Sequence, residues 1–371
     1  MAFYKFQLLT ITLIMKRIRY HFLILSLSLM ACQPTVQTAT NGAVSGQVEA
    51  GNVSSIYTNP VYNKDFADPT VVKAPDGYYY VYGTNTDVNG STVNIQVARS
   101  ENLIDWEPMG DALPTKPTWA SSDFWAPHVL YDNSNQTYYL YYSGESDSEQ
   151  IGKCLGVATS KSPTGPFVDK GEPLLCGEGF INIDPMAFDD PASGRKLLYW
   201  GSGFGPIKVQ ELADDRMSFR AGSKSIPVVQ PISSDDPDNY QKLVEGAWVM
   251  YRNGYYYVLY SGDNCCGENA HYALMAARSK MPTGPFETLA KATGSKNSVI
   301  LARNSRWIAP GHNSVVTDDV GQDWIVYHAI DSAKQDQGRI ILLDKITYAN
   351  GWPQIETGTP SVTAQQAPVE E

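Results

Sequence analysis

Helical periodicity is missing from the body of this chain: no segment repeats its apolar residues at the spacing of an amphipathic helix. That argues against a helical bundle and for an all-β fold. Basic residues are in short supply. There are 28 Lys and Arg against 39 Asp and Glu, a formal net charge of −11, which disfavours nucleic acid and other polyanions as partners. No Gly-x-Ser-x-Gly elbow, P-loop or dinucleotide fingerprint occurs, so the usual sequence signs of a serine hydrolase or a nucleotide enzyme are lacking. The 5 cysteines include no CxxC pair, which weakens any case for a thiolate metal site. Near the N-terminus the apolar run 22–29 is too short to span a bilayer comfortably.

Aromatic residues, by contrast, make up 11% of the sequence. Many fall in five similar strands: 78–84, 138–144, 197–202, 255–262 and 324–329. Aligned on Tyr82, Tyr142, Trp200, Tyr260 and Tyr327, they recur at steps of 60, 58, 60 and 67 residues. Each follows a short apolar strand and a turn rich in Asp, Asn and Gly, the pattern of a hairpin. A second echo lies further along, where 158–167 closely resembles 277–286. Units of about 60 residues suffice for four strands and their turns, and five in a closed ring predict a five-bladed β-propeller.

The chain outside the repeats has its own signals. A basic segment at 16–19, the apolar run, and Leu29-Met30-Ala31-Cys32 read as a bacterial secretory signal ending in a lipoprotein cleavage box, with Met15 an alternative start. Residues 1–32 are therefore expected to be a signal, 33–55 a flexible linker, 56–356 the propeller and 357–371 a polar tail. A segment near 56–62 is expected to complete the last blade. Export, a lipid on Cys32 as the sole membrane attachment, and placement at the outer membrane of a Gram-negative envelope follow as expectations, the last because Gln33 and not Asp follows Cys32. A monomer is expected. Cys154, Cys176, Cys265 and Cys266 remain. Their even number suggests disulfides in an exported protein: Cys154–Cys176 with a vicinal Cys265–Cys266, or cross-pairing between the two regions.

The chemistry is expected where each unit opens. Asp68, His128, Asp184, Glu245 and His312 each lie 14 to 16 residues before the aligned aromatic. In a propeller such positions sit on the innermost strands and converge on one mouth of the channel. A lone Asp before Pro, as at Asp68 or Asp184, is more often a turn residue. Crowding like charges at one repeat position costs several kcal/mol, to an order of magnitude, and suits acid–base chemistry better than structure. Carboxylates without a nucleophile triad point to glycoside hydrolysis, in which one carboxyl donates a proton and another activates water.

Ala67-Asp68-Pro69, Phe124-Trp125-Ala126-Pro127-His128, Ile183-Asp184-Pro185, Glu245-Gly246-Ala247 and Pro310-Gly311-His312-Asn313-Ser314-Val315 together resemble glycoside hydrolase family 43, over about 300 residues. The resemblance implies a five-bladed propeller that hydrolyses arabinosides or xylosides with inversion. It implies Asp68 as general base, Glu245 as general acid and Asp184 as the group that tunes and orients the acid. His312 matches a histidine that helps hold a calcium or other ion on the axis through water. Arg339 resembles an arginine that contacts sugar hydroxyls. Trp125 and Phe204 are expected as sugar contacts, with blade or loop packing as the alternative, and His128 is expected beside them. His271 is a further candidate, with loop packing favoured. Glu-Gly-Ala and Gly-His-Asn depart from the commoner Glu-Gly-Pro and Gly-His-Gly, which leaves the subfamily open.

The sequence therefore predicts an α-L-arabinofuranosidase or arabinanase acting on plant or algal polysaccharide. A β-D-xylosidase or galactofuranosidase on the same scaffold, and a non-catalytic glycan-binding lipoprotein, are the rival readings. The Cys265–Cys266 loop, by closing one end of the mouth, favours exo over endo action.

Overall fold

A computed structural model describes residues 55–148 and 152–370. The signal segment, Cys32 and the linker as far as residue 54 lie outside the described residues. Five antiparallel sheets of four or five strands follow one another along the chain. Their first strands are Thr70–Lys73, Ala120–Asp132, Met186–Asp189, Val244–Arg252 and Trp307–Thr317. Each first strand touches the first strands of the blades before and after it, and the fifth touches the first, so the ring is closed. The fold is the predicted five-bladed β-propeller. Among the described residues helix is confined to Leu289–Thr293 and three short 3-10 turns.

The aromatic stretches supply the second strand of every blade: Tyr79–Gly83, Thr137–Ser146, Lys196–Trp200, Tyr255–Asn264 and Asp323–Asp331. Successive side chains of a strand point to opposite faces. Here both faces are buried, because each blade packs between two others. Tyr80 and Tyr82 join the core shared with the second blade, while Tyr79 and Val81 join the core shared with the fifth. Tyr139 and Tyr141 likewise face the third blade, and Tyr138 and Tyr142 the first. That is why these strands are apolar throughout and do not alternate with polar residues.

Buried tyrosines also need a partner for the hydroxyl. The echoed Pro-Thr-Gly-Pro-Phe loops provide one across blade boundaries. Tyr82 donates to the Pro163 carbonyl at 2.5 Å, and Tyr199 donates to the Pro282 carbonyl at 2.5 Å.

Chain closure uses both ends. All four strands of the fifth blade come from 307–355. Tyr62 makes a single bridge to Ile341 of that blade. The segment expected as a polar tail is docked. Gln365–Gln366 pairs with Ile56–Tyr57, and Ala367 is buried in the core between the fifth and first blades. The Val369 carbonyl accepts from the Asp319 backbone at 3.1 Å, and Glu370 accepts from Tyr79 at 2.9 Å and pairs with Lys73 at 3.2 Å. Polar composition did not disclose this, because the segment is held mainly by its backbone and by one carboxylate.

Deleting residues 359–371 removes this strand pair and several buried hydrogen bonds, each worth about 1 kcal/mol. The melting temperature is expected to fall by about 5 °C or more, measured by scanning calorimetry.

Candidate active site

A backbone device repeats at every inner strand, two residues before it in two blades and at a register shift within it in three. Asp68, Ala126, Asp184, Gly246 and His312 all take left-handed φ values, 58°, 45°, 59°, 59° and 44°. A side chain of the preceding blade caps the N–H at all five, and at four it comes from the same repeat position. Ala126 donates to Thr84 Oγ1 at 2.9 Å, Asp184 to Ser143 Oγ at 3.1 Å, His312 to Ser261 Oγ at 2.8 Å and Asp68 to His328 Nδ1 at 3.1 Å. The acceptors all follow the aligned aromatic residue of their strand by one or two positions. At the remaining one of the five the serine is diverted. Ser202 donates instead to Glu245 Oε2 at 2.5 Å, and the freed Gly246 N–H is taken by Asp184 Oδ2 at 3.0 Å.

These turns aim Asp68, Asp184 and Glu245 into one cleft of about 1030 Å³, together with His312, Arg339, Trp125 and Phe204. His128 does not join them. It lies two residues beyond the left-handed position, further down the channel, where it faces Thr70 Oγ1 at 3.4 Å and the Trp248 ring at 5.5 Å. Burial pulls its pKa down to about 4, and its ring is bonded to the Ala187 backbone, so it is a neutral packing histidine. His271 does not line the cleft either. It braces the 264–270 loop, bonding Asp263 at 2.6 Å and stacking on Tyr240 at 4.2 Å.

The carboxylates are tuned in opposite directions. Burial alone favours the neutral form of each. At Asp68 it is outweighed above all by the Arg339 guanidinium, which holds the carboxyl well below the usual carboxylate range. Arg339 Nη1 stands 2.9 Å from Asp68 Oδ1, His328 Nδ1 3.3 Å and His312 Nδ1 3.4 Å. Burial also lowers the pKa of both imidazoles, so the permanent cation at Asp68 is the guanidinium. Thr84 donates to the other oxygen, Oδ2, at 2.5 Å. Asp184 is pushed well above its ordinary value by burial, then by the charges of Glu245 and Asp68. Glu245 is raised by burial, partly offset by hydrogen bonds from Ser202 and from Tyr272, the latter at 2.8 Å. One carboxylate is thus ionised, and the Asp184–Glu245 pair retains a proton at higher pH, as acid–base catalysis at neutral pH requires.

Around the carboxylates the cleft is apolar. Trp125 is half-buried, with Lys153 Nζ 3.8 Å from the ring centroid and Phe180 stacked at 6.2 Å. Phe204 stands 83% exposed at the rim. Sequence reasoning passed over Phe180, Thr84, Ser202, Tyr272 and His328. The repeat position one or two residues after each aligned aromatic carries the signal for three of them. The cysteines pair as Cys154–Cys176 and Cys265–Cys266.

For the axial ion, no three His, Cys, Asp or Glu side chains among the described residues are grouped to hold a metal directly. Beside His312, Asn313 is buried with neither amide atom paired to protein. This donor set fits a cation held through water.

Comparison with known proteins agrees with this geometry. Residues 57–353 match the model of glycosyl hydrolases family 43. The chain belongs to that family. It is 28% identical over 313 residues to an extracellular exo-α-(1→5)-L-arabinofuranosidase of Cellvibrio japonicus, covering 79% of this chain and 86% of the relative. It is 30% identical over 309 residues to a β-D-galactofuranosidase of Aspergillus niger, covering 78% and 82%. A solved α-L-arabinanase of Cellvibrio cellulosa, complexed with arabinohexaose, superposes with a TM-score of 0.66 at 25% identity, over 79% of this chain and 96% of that one. As a family 43 member the chain is a glycosidase.

Two outcomes test the geometry. Asp184→Asn removes a like charge beside Glu245, so Glu245 should lose its proton at lower pH. The alkaline limb of the pH–kcat profile is expected to move down, with the protein still folded by circular dichroism. Gly311 has no room for a side chain, because an added Cβ would lie 2.4 Å from the Tyr272 ring. Gly311→Ala should displace Tyr272 from Glu245 and lower kcat by roughly 10²-fold.

Proposed function

We propose that this protein is an exported, inverting glycosidase that hydrolyses α-L-arabinofuranosyl linkages in arabinan-type polysaccharide or oligosaccharides. The observation that carries this reading is the opposite tuning of carboxyls in one cleft. Arg339 and its neighbours keep Asp68 ionised, while Glu245 and Asp184 are held towards the protonated form.

Asp68 is the general base and takes a proton from the attacking water. Glu245 is the general acid and gives its proton to the departing glycosidic oxygen. Asp184 raises the acid's proton affinity and, through the Gly246 N–H, fixes the turn that carries it. Ser202 and Tyr272 hold the two oxygens of Glu245 in place. Water then enters from the Asp68 side as the bond breaks on the Glu245 side, which inverts the anomeric centre. A hydrated cation such as calcium, held through water by His312 with Asn313, would add positive potential beneath the carboxylates.

The Cellvibrio relatives favour arabinan, and the Aspergillus niger galactofuranosidase keeps β-D-galactofuranosides as the second reading. The two disulfides and an extracellular relative support export. A lipid on Cys32, a monomeric state and an outer-membrane location complete the proposal.

The test is a hydrolysis screen of a soluble form starting after Cys32, on aryl α-L-arabinofuranoside, β-D-xyloside, β-D-galactofuranoside and linear arabinan. Turnover of the arabinofuranoside or arabinan is expected. Asp68→Asn and Glu245→Ala should each lower the rate by roughly 10²–10⁴-fold. Turnover of the galactofuranoside alone moves the assignment to the second reading. Unchanged hydrolysis in both variants and in Asp184→Asn would remove these residues from the catalytic roles.

A further inference from the structure

The second disulfide stands in the active-site cleft. Cys265 and Cys266 are bonded to each other and line the cavity that holds Glu245. They sit at the tip of the hairpin formed by Tyr255–Asn264 and His271–Ser279. Its base is pinned. Asp263, with φ 70°, accepts from His271 at 2.6 Å and pairs with Lys242 at 3.1 Å. Cys265 packs on the small core of Tyr272, Ala309 and Ile330, and Tyr272 is the residue that holds Glu245. The sulfur pair therefore borders the acid.

A bonded cysteine has no S–H to donate, and its sulfur is soft and polarisable. Two adjacent sulfurs fixed side by side make a compact apolar surface. A sugar ring carries hydroxyls on its edge and C–H groups on its faces, so it fits between a polar floor and apolar walls. The floor here is Asp68 and Arg339, and another apolar part of the lining is Phe180 stacked on Trp125. The first disulfide supports that part: Cys176 lies four residues before Phe180 and is tied back to Cys154.

We infer that the Cys265–Cys266 disulfide is a sugar-contacting wall of the cleft, taking the C–H face of the sugar on the leaving-group side of Glu245. It binds substrate and takes no part in proton transfer. This inference rests on the glycosidase reading above and adds a specificity-determining contact to it.

The experiment leaves the cysteines native. Full-length Glu245→Gln protein, which binds without turnover, is treated with a phosphine reductant and iodoacetamide, with and without saturating arabinohexaose. Alkylation of each cysteine is followed by peptide mass spectrometry. Bound sugar should slow labelling of Cys265 and Cys266 at least about 5-fold and leave Cys154 and Cys176 unchanged. Equal labelling with and without sugar, from a protein whose wild type hydrolyses arabinan, overturns the inference alone. If the wild type hydrolyses no arabinan, the reading beneath it has failed first, and the inference falls with it. As a second measurement, Cys265→Ser/Cys266→Ser should raise KM about 10-fold or more, the usual weight of a lost apolar contact, with kcat within about 2-fold. A fall in kcat and in melting temperature at constant KM would make the pair a structural brace only.

Discussion

The structure turns on one backbone constraint: a left-handed residue just before, or at a register shift within, each inner strand, with its N–H capped by a side chain of the blade before it. L-residues avoid this conformation unless the surroundings enforce it. The enforcing group comes from the neighbouring blade, so the turn forms only when the blades are docked. The same bond that joins two blades thereby aims a side chain across the channel mouth. Architecture and active site are one set of interactions, and the catalytic geometry is inherited from ring closure.

The exception among the five is where function has altered the rule. A serine in the capping position is turned towards Glu245, and a carboxylate, Asp184, caps the backbone in its stead. That exchange places two carboxyl groups in the same buried region, where neither can readily ionise beside the other. A few ångströms away the guanidinium of Arg339 imposes the reverse on Asp68. Two protonation states are maintained in one cavity because the positive charge is fixed to one side of it.

The blades were legible in the sequence because their second strands are buried on both faces and therefore apolar and rich in aromatics. The catalytic trio was legible because its members open those blades. His128 was misplaced for a definite reason. Counting back from the aromatic residue assumes an unbroken ladder, yet the second blade's first hairpin has three register shifts, between Ala120 and His128, and the fourth has one between Glu245 and Trp248. Each bulge changes which residue reaches the rim. Ala126 occupies the repeat position that the count assigned to His128, and Gly246 the one assigned to Glu245. Phe180 was invisible because it lies in a loop with no repeat partner, brought to the cleft by a disulfide and a ring stack.

The pairing of Ile56–Tyr57 with Gln365–Gln366 sets an order of events in synthesis. A chain made from its N-terminus can assemble hairpins as they emerge, since each blade is local in sequence. The seam between first and fifth blades cannot seal until residues 365–367 are free. Until then the first blade shows Tyr79, Val81 and Phe66 on an uncovered face. A chain still being made must therefore keep that face apart from other apolar surfaces until residue 367 has emerged.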